Sequence, residues 1–89
     1  MERKEQIERI RQMEQQLDKA WRAVSDGYIP PYRRKEIQRD VDTLSAYYGS
    51  DEWKHDFADD EAGLLPKDLK RGVLSEDGIW NLLEEWKNI

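Results

Sequence analysis

The chain has 89 residues, no cysteine, and a net charge of −5 from 20 acidic and 15 basic side chains. A chain of this length has room for one domain, residues 1–89, burying roughly 60–65% of the surface its unfolded form exposes, and the absence of cysteine excludes disulfides, thiolate metal sites and a thiol nucleophile. Ile, Leu, Val and Phe supply only 18 residues, so Trp21, Trp53, Trp80 and Trp86, each able to bury on the order of 150–250 Å², are expected to carry much of the core.

The first residues, MERKEQIERIRQ, alternate charge with single isoleucines and form neither a signal-peptide core nor a membrane span, which predicts a cytoplasmic protein. From residue 2 to about residue 24, Ile7, Ile10, Met13, Leu17, Ala20, Trp21 and Val24 recur every three or four positions, predicting an amphipathic helix with its stripe on the core. Glu14 falls on the edge of that stripe, and fewer than three heptads are too few for a long coiled coil. Ser25-Asp26-Gly27 ends the helix, with Gly27 suited to a left-handed cap. Pro30-Pro31 then opens a second helix near residue 31. Its stripe is Ile37, Val41, Leu44 and Tyr48, and Gly49 stops it. Two facing stripes across a short loop predict an antiparallel hairpin. The run Arg33-Arg34-Lys35 at the start of this helix reads as a solvated face paired with acids.

Ser50 is the expected cap of a short third helix, with Asp51 and Glu52 favoured in its first turn and Trp53 and Phe57 as its buried side. Gly63 stops it. Pro66 opens a short helical turn over residues 67–71, Gly72 closes that turn, and Val73-Leu74 leads to Ser75, the expected cap of the last helix. That helix carries Ile79, Leu82, Leu83, Trp86 and Ile89 on one face, with Leu74 stapled to Ile79. Trp80 lies about 100° from Ile79 on a helical wheel, a flank position. It is expected under the connector Leu64-Leu65-Pro66, the alternative being an aromatic anchor for a partner.

Reaction chemistry is missing from the pattern. His55 is the sole histidine, and although Asp51 and Asp59 lie four residues to either side, no third nitrogen or sulfur ligand completes a zinc site. DFADDEAG lacks the alternating ligands of a calcium loop, no Gly-rich phosphate motif occurs, and Ser25, Ser50 and Ser75 serve helix ends. The expectation is a protein that is not an enzyme and has no cofactor, metal or small-molecule substrate. Residues 1–39 hold ten basic side chains against seven acidic, and residues 40–89 five against thirteen. Such opposed halves favour mutual packing and disfavour binding to nucleic-acid phosphate. Three of those five bases, Lys67, Lys70 and Arg71, would share one side of the expected turn as a basic island.

The run YYGSDEWKHDFADDEAGLLPKDLKRGVLSEDGIWNLL, residues 47–83, resembles the signature of a small bacterial family, the domain-of-unknown-function family numbered 4298. YYGS, the Trp and Phe four apart, DEAG, LPKDLKRGVLSED and the terminal aromatic occur in that order. The resemblance implies a cytoplasmic all-α protein of bacterial origin and implies no activity. The reading is a small antiparallel helical bundle of three main helices, one short helix and a compact C-terminal connector. Its expected role is a non-catalytic interaction module, an adaptor, regulator or assembly partner that binds a protein or itself, with Lys67, Lys70, Arg71 and Trp80 as candidate contacts. The alternatives are an acidic nucleic-acid mimic that occupies a basic protein site, and a metal-assisted hydrolase centred on His55.

Overall fold

The computed structural model describes residues 3–75 and 77–88. These form α1 (Lys4–Asp26), α2 (Pro31–Tyr48), α3 (Asp51–Glu61), a 3₁₀ turn (Gly72–Leu74) and α4 (Gly78–Lys87), with no strand among the described residues. The expected places of Glu2 in the first helix and of Ile89 on the last lie outside the described residues. At 1.5 Å per residue, the 23 residues of α1 span about 35 Å and set the long dimension of a body measuring 43 × 22 × 20 Å. No helix among the described residues is long and apolar enough to cross a membrane.

The helix ends follow local chemistry. Gly27 (φ 75°) and Gly63 (φ 74°) take the left-handed conformation after α1 and α3, where a side chain would be strained. Pro31 occupies the first position of α2, where its missing N–H costs nothing. Ser50 Oγ accepts from the Trp53 N–H at 3.2 Å, and its hydroxyl donates to the Tyr47 carbonyl, joining the end of α2 to the start of α3. The last helix, by contrast, does not open at Ser75 as expected: α4 begins at Gly78 with Asp77 at its cap position and no side-chain cap bond, while Ser75 closes the 3₁₀ turn, its hydroxyl donating to the Gly72 carbonyl and its Oγ accepting from the Gly78 N–H at 2.9 Å. A Cβ on Gly78 would run into the Gly72 carbonyl oxygen, so only glycine lets α4 start this close to the 3₁₀ turn.

One apolar cluster joins all of these parts. Ile10, Leu17, Ala20 and Ala23 of α1 meet Ile37, Val41, Leu44 and Tyr47 of α2, closed over by Ile79, Leu82 and Trp86 of α4 and by Leu65, Leu69, Val73 and Leu74 of the connector. Met13 is half-buried at the margin. Three expectations change. Tyr47, not Tyr48, completes the α2 stripe, because its ring lies in the core while its hydroxyl reaches a carboxylate inside. Trp53 and Phe57 are half-buried flanks of α3, and the residue pointing fully inward is Asp56. Of the four tryptophans only Trp86 is buried; Trp21 and Trp53 are half-buried and Trp80 is 50% exposed.

The connector also differs from its expected form. Residues 67–71 make no helix, and the 3₁₀ turn falls on Gly72–Leu74 instead. Arg71 explains the change: its guanidinium donates to the carbonyls of Pro66, Leu69 and Lys67 at 2.7, 2.8 and 3.2 Å, satisfying by a side chain groups that a helical ladder would have used.

Candidate functional site

Chemistry-bearing side chains gather in three places, which differ in how much they leave for a ligand. The first is inside. Asp56 is fully buried and accepts from Arg9 Nη2 at 2.6 Å, Arg9 Nε at 3.0 Å, Tyr47 Oη at 2.6 Å and Gln6 Nε2 at 2.9 Å. Burial alone would raise its pKa, but the bonds from Arg9, Tyr47 and Gln6 outweigh that and hold the carboxyl below its ordinary range. Burial first, then the bond to Asp56, pushes the Tyr47 hydroxyl well above its usual value. Gln6 and Arg3 also bond Asp59, at 2.9 and 3.0 Å. These bonds fasten α1 to α2 and α3, and Asp56 itself has no exposed surface. Sequence reasoning missed this cluster because an Asp on a short acidic helix looks solvated; the only signal is that Asp56 sits between Trp53 and Phe57, on the side assigned to the core.

The second place is the connector. Arg71, besides its three carbonyl contacts, pairs with Asp60, so its charge is consumed in closing the loop. Lys70 lies 3.7 Å from Asp18 on α1, and both Lys70 and Lys67 are exposed. The structure thus separates the three bases: Arg71 faces the connector's own backbone while the lysines face solvent. Glu14, read from the sequence as a stripe-edge residue, is buried beneath them and accepts from the Val73 N–H at 2.6 Å. His55, with 70% of its side chain exposed, approaches only Asp59, at 3.6 Å, and that carboxylate is already engaged by Gln6 and Arg3. Among the described residues no three His, Asp or Glu side chains converge as metal ligands.

The third place is a surface groove of about 460 Å³ where the end of α2 meets the starts of α3 and α4, lined by Tyr48, Trp53, Asp77 and Trp80. Its aromatic wall is fixed from behind. Trp53 Nε1 donates to the Val73 carbonyl at 2.7 Å, its indole stacks on Phe57 at 5.0 Å with an 18° interplanar angle, and the Tyr48 ring meets it edge-on at 5.0 Å and 72°. Trp80 of α4 also lines the groove. It does not lie under Leu64-Leu65-Pro66 as expected, because the fold buries Leu65 and leaves Leu64 and Trp80 each about half exposed. Of the four candidate contacts, the groove takes in Trp80 alone. Tyr48, Trp53 and Asp77 are its additional members, and the DEW and SED segments that carry Trp53 and Asp77 were legible only as helix starts.

A family described as a domain of unknown function (DUF4298) matches residues 10–89, which takes in α2, α3, α4, the connector and most of α1. No curated protein and no solved structure matches the chain.

Proposed function

The chain belongs to the DUF4298 family, and we propose that it acts without catalysis, as an interaction module that docks a partner protein in the Tyr48–Trp53–Trp80 groove. The observation that carries this reading is Trp80, a large aromatic left half exposed in a chain short of apolar core, lining one groove with two rings already fixed in place. Rigid aromatics at the centre of a docking surface contribute binding energy at small entropic cost. A hairpin of α1 and α2 running in opposite directions would underlie the groove. It is supported by the pairing of Lys19 with Glu36 and Asp40 while Arg9, one half of α1 away, shares Asp56 with Tyr47.

An acidic nucleic-acid mimic has less behind it. Asp40, Asp56, Asp59 and Asp60 are paired with Lys19, Arg9, Arg3 and Arg71, so these acids are not gathered as a free face. The hydrolase centred on His55 has no converging ligands to support it. Quantitative capture from native lysate tests the module reading, with three baits compared by mass spectrometry. Wild type and the double variant Lys67→Ser/Lys70→Ser should retrieve the same partner, and Trp80→Ala should lose it. Retention by Trp80→Ala together with loss by the lysine pair would move the contact to the connector.

A further inference from the structure

The groove's own chemistry narrows what it accepts. Among the described residues, three aromatic side chains and one carboxylate line it, and no basic residue does. Ring faces carry the negative part of the aromatic quadrupole, so a cation over an indole is attracted to it, arginine most often because its planar guanidinium can also stack. Asp77 adds a full negative charge in the same space. Asp77 is itself exposed, and an apolar side chain seated beside it would give that carboxylate no partner, where a cation would. Two further acids occupy the first turn of α3 beside Trp53 and are exposed: Asp51, and Glu52, which Arg9 approaches at 3.5 Å. Two nearby bases need placing. Lys54 is exposed on α3 beside Trp53 but does not line the groove, and Lys87 is paired with Glu84 at 3.0 Å.

Resting on the docking site proposed above, we infer that the groove recognises a cationic side chain, arginine before lysine, presented by a basic segment of another protein. The guanidinium lies between the Trp80 and Trp53 rings and is paired by Asp77. The structure holds a model of half of this contact in its own body: the Arg34 guanidinium sits 5.4 Å above the Trp86 ring on another face of the molecule. Trp53 is held by Val73 and Phe57 before any ligand arrives, so the receptor side needs little reordering.

The test is a titration of the uniformly labelled full chain, followed through the four indole N–H resonances, with three ten-residue Gly-Ser peptides carrying three arginines, three citrullines or three leucines. Citrulline keeps the shape of arginine and removes the charge. The arginine peptide should shift the Trp80 and Trp53 indoles saturably, leave that of Trp86 unmoved, and bind about 10-fold or more tightly than either neutral peptide. Trp80→Ala should weaken it about 10-fold, and Asp77→Asn should weaken it and reduce its salt dependence; thermal melts of both variants establish that they are folded. A leucine peptide that binds the groove as well as the arginine peptide overturns the cationic class and leaves the docking site standing. Silence of the groove indoles with all three peptides, or arginine binding that survives Trp80→Ala, overturns both. Light scattering on the same samples covers the remaining occupant: a wild-type dimer abolished by Trp80→Ala assigns the groove to a second copy and overturns the proposal.

Discussion

Asp56 is the residue on which most of the polar interior depends. A carboxylate with no exposed surface is expensive unless its lone pairs are filled, and here two oxygens receive four hydrogen bonds, two of them from one guanidinium. Replacing it by Asn keeps the shape but turns one oxygen into a donor facing Arg9 and leaves that cation only its longer, exposed contact with Glu52 at 3.5 Å. Asp56→Asn is expected to cost about 3 kcal/mol or more, the usual loss when one partner of a buried pair is removed. Because the folded-state pKa is depressed, the stabilisation is complete above the unfolded aspartate value of about 3.9 and is lost as pH falls through the folded value. Urea midpoints measured from pH 7 to pH 3 should show a steady wild-type advantage over Asp56→Asn at the upper end that shrinks below about pH 4. An advantage that grows on acidification would show that the carboxylate is not the stabilised form.

Among the elements, α4 has the most exacting start. Ser75 Oγ takes the Gly78 N–H from the end of the 3₁₀ turn, and Gly78 gives the clearance beside Gly72. Ser75→Ala, which removes the acceptor of the Gly78 N–H, should lower stability by about 0.5–1.5 kcal/mol, and Ser75→Asp, which keeps an oxygen at that place, should be nearly neutral. Gly78→Ala is the sharper test, since alanine ordinarily favours a helix over glycine by about 1 kcal/mol. Here the added methyl meets a backbone carbonyl, so thermal melts should show a loss rather than a gain. The cap of α3, the left-handed Gly27 and, in the stripe of α1, Ile10, Leu17 and Ala20 were legible in the sequence, because each depends on residues within a few positions of one another. What could not be read depends on partners far along the chain. Tyr47 and Tyr48 are adjacent, and only the carboxylate nine residues on decides which one turns inward. Arg71 is read as part of a helical basic face until the bent connector offers it three carbonyls. Trp80 is a flank residue on any helical wheel, and whether something covers a flank is settled by the path of residues 64–66.

For the molecule as a whole, a single apolar cluster reaching from α1 to α4 means that no helix owns a separate core. Leu17 sits in that cluster at 4% exposure, and Leu17→Ala should cost about 2–4 kcal/mol. Circular dichroism and tryptophan emission should report the same shifted urea midpoint, since one core is expected to melt in one step; two separated transitions would divide the cluster.

The contact between Glu14 and the Val73 amide bears on how such a chain reaches its final form. Its two residues are 59 positions apart, so the hydrogen bond closes a loop containing two complete helices, and the entropy of that closure is spent before the bond returns anything. The α1 and α2 stripes, by contrast, meet across the short turn at residues 27–30. Folding therefore has a natural order, in which the helices collapse first and the connector is fastened late by a side chain from the opposite part of the chain. The same late step sets the Val73 carbonyl against the Trp53 indole, so the back of the groove is completed only when the two distant ends of the chain have met.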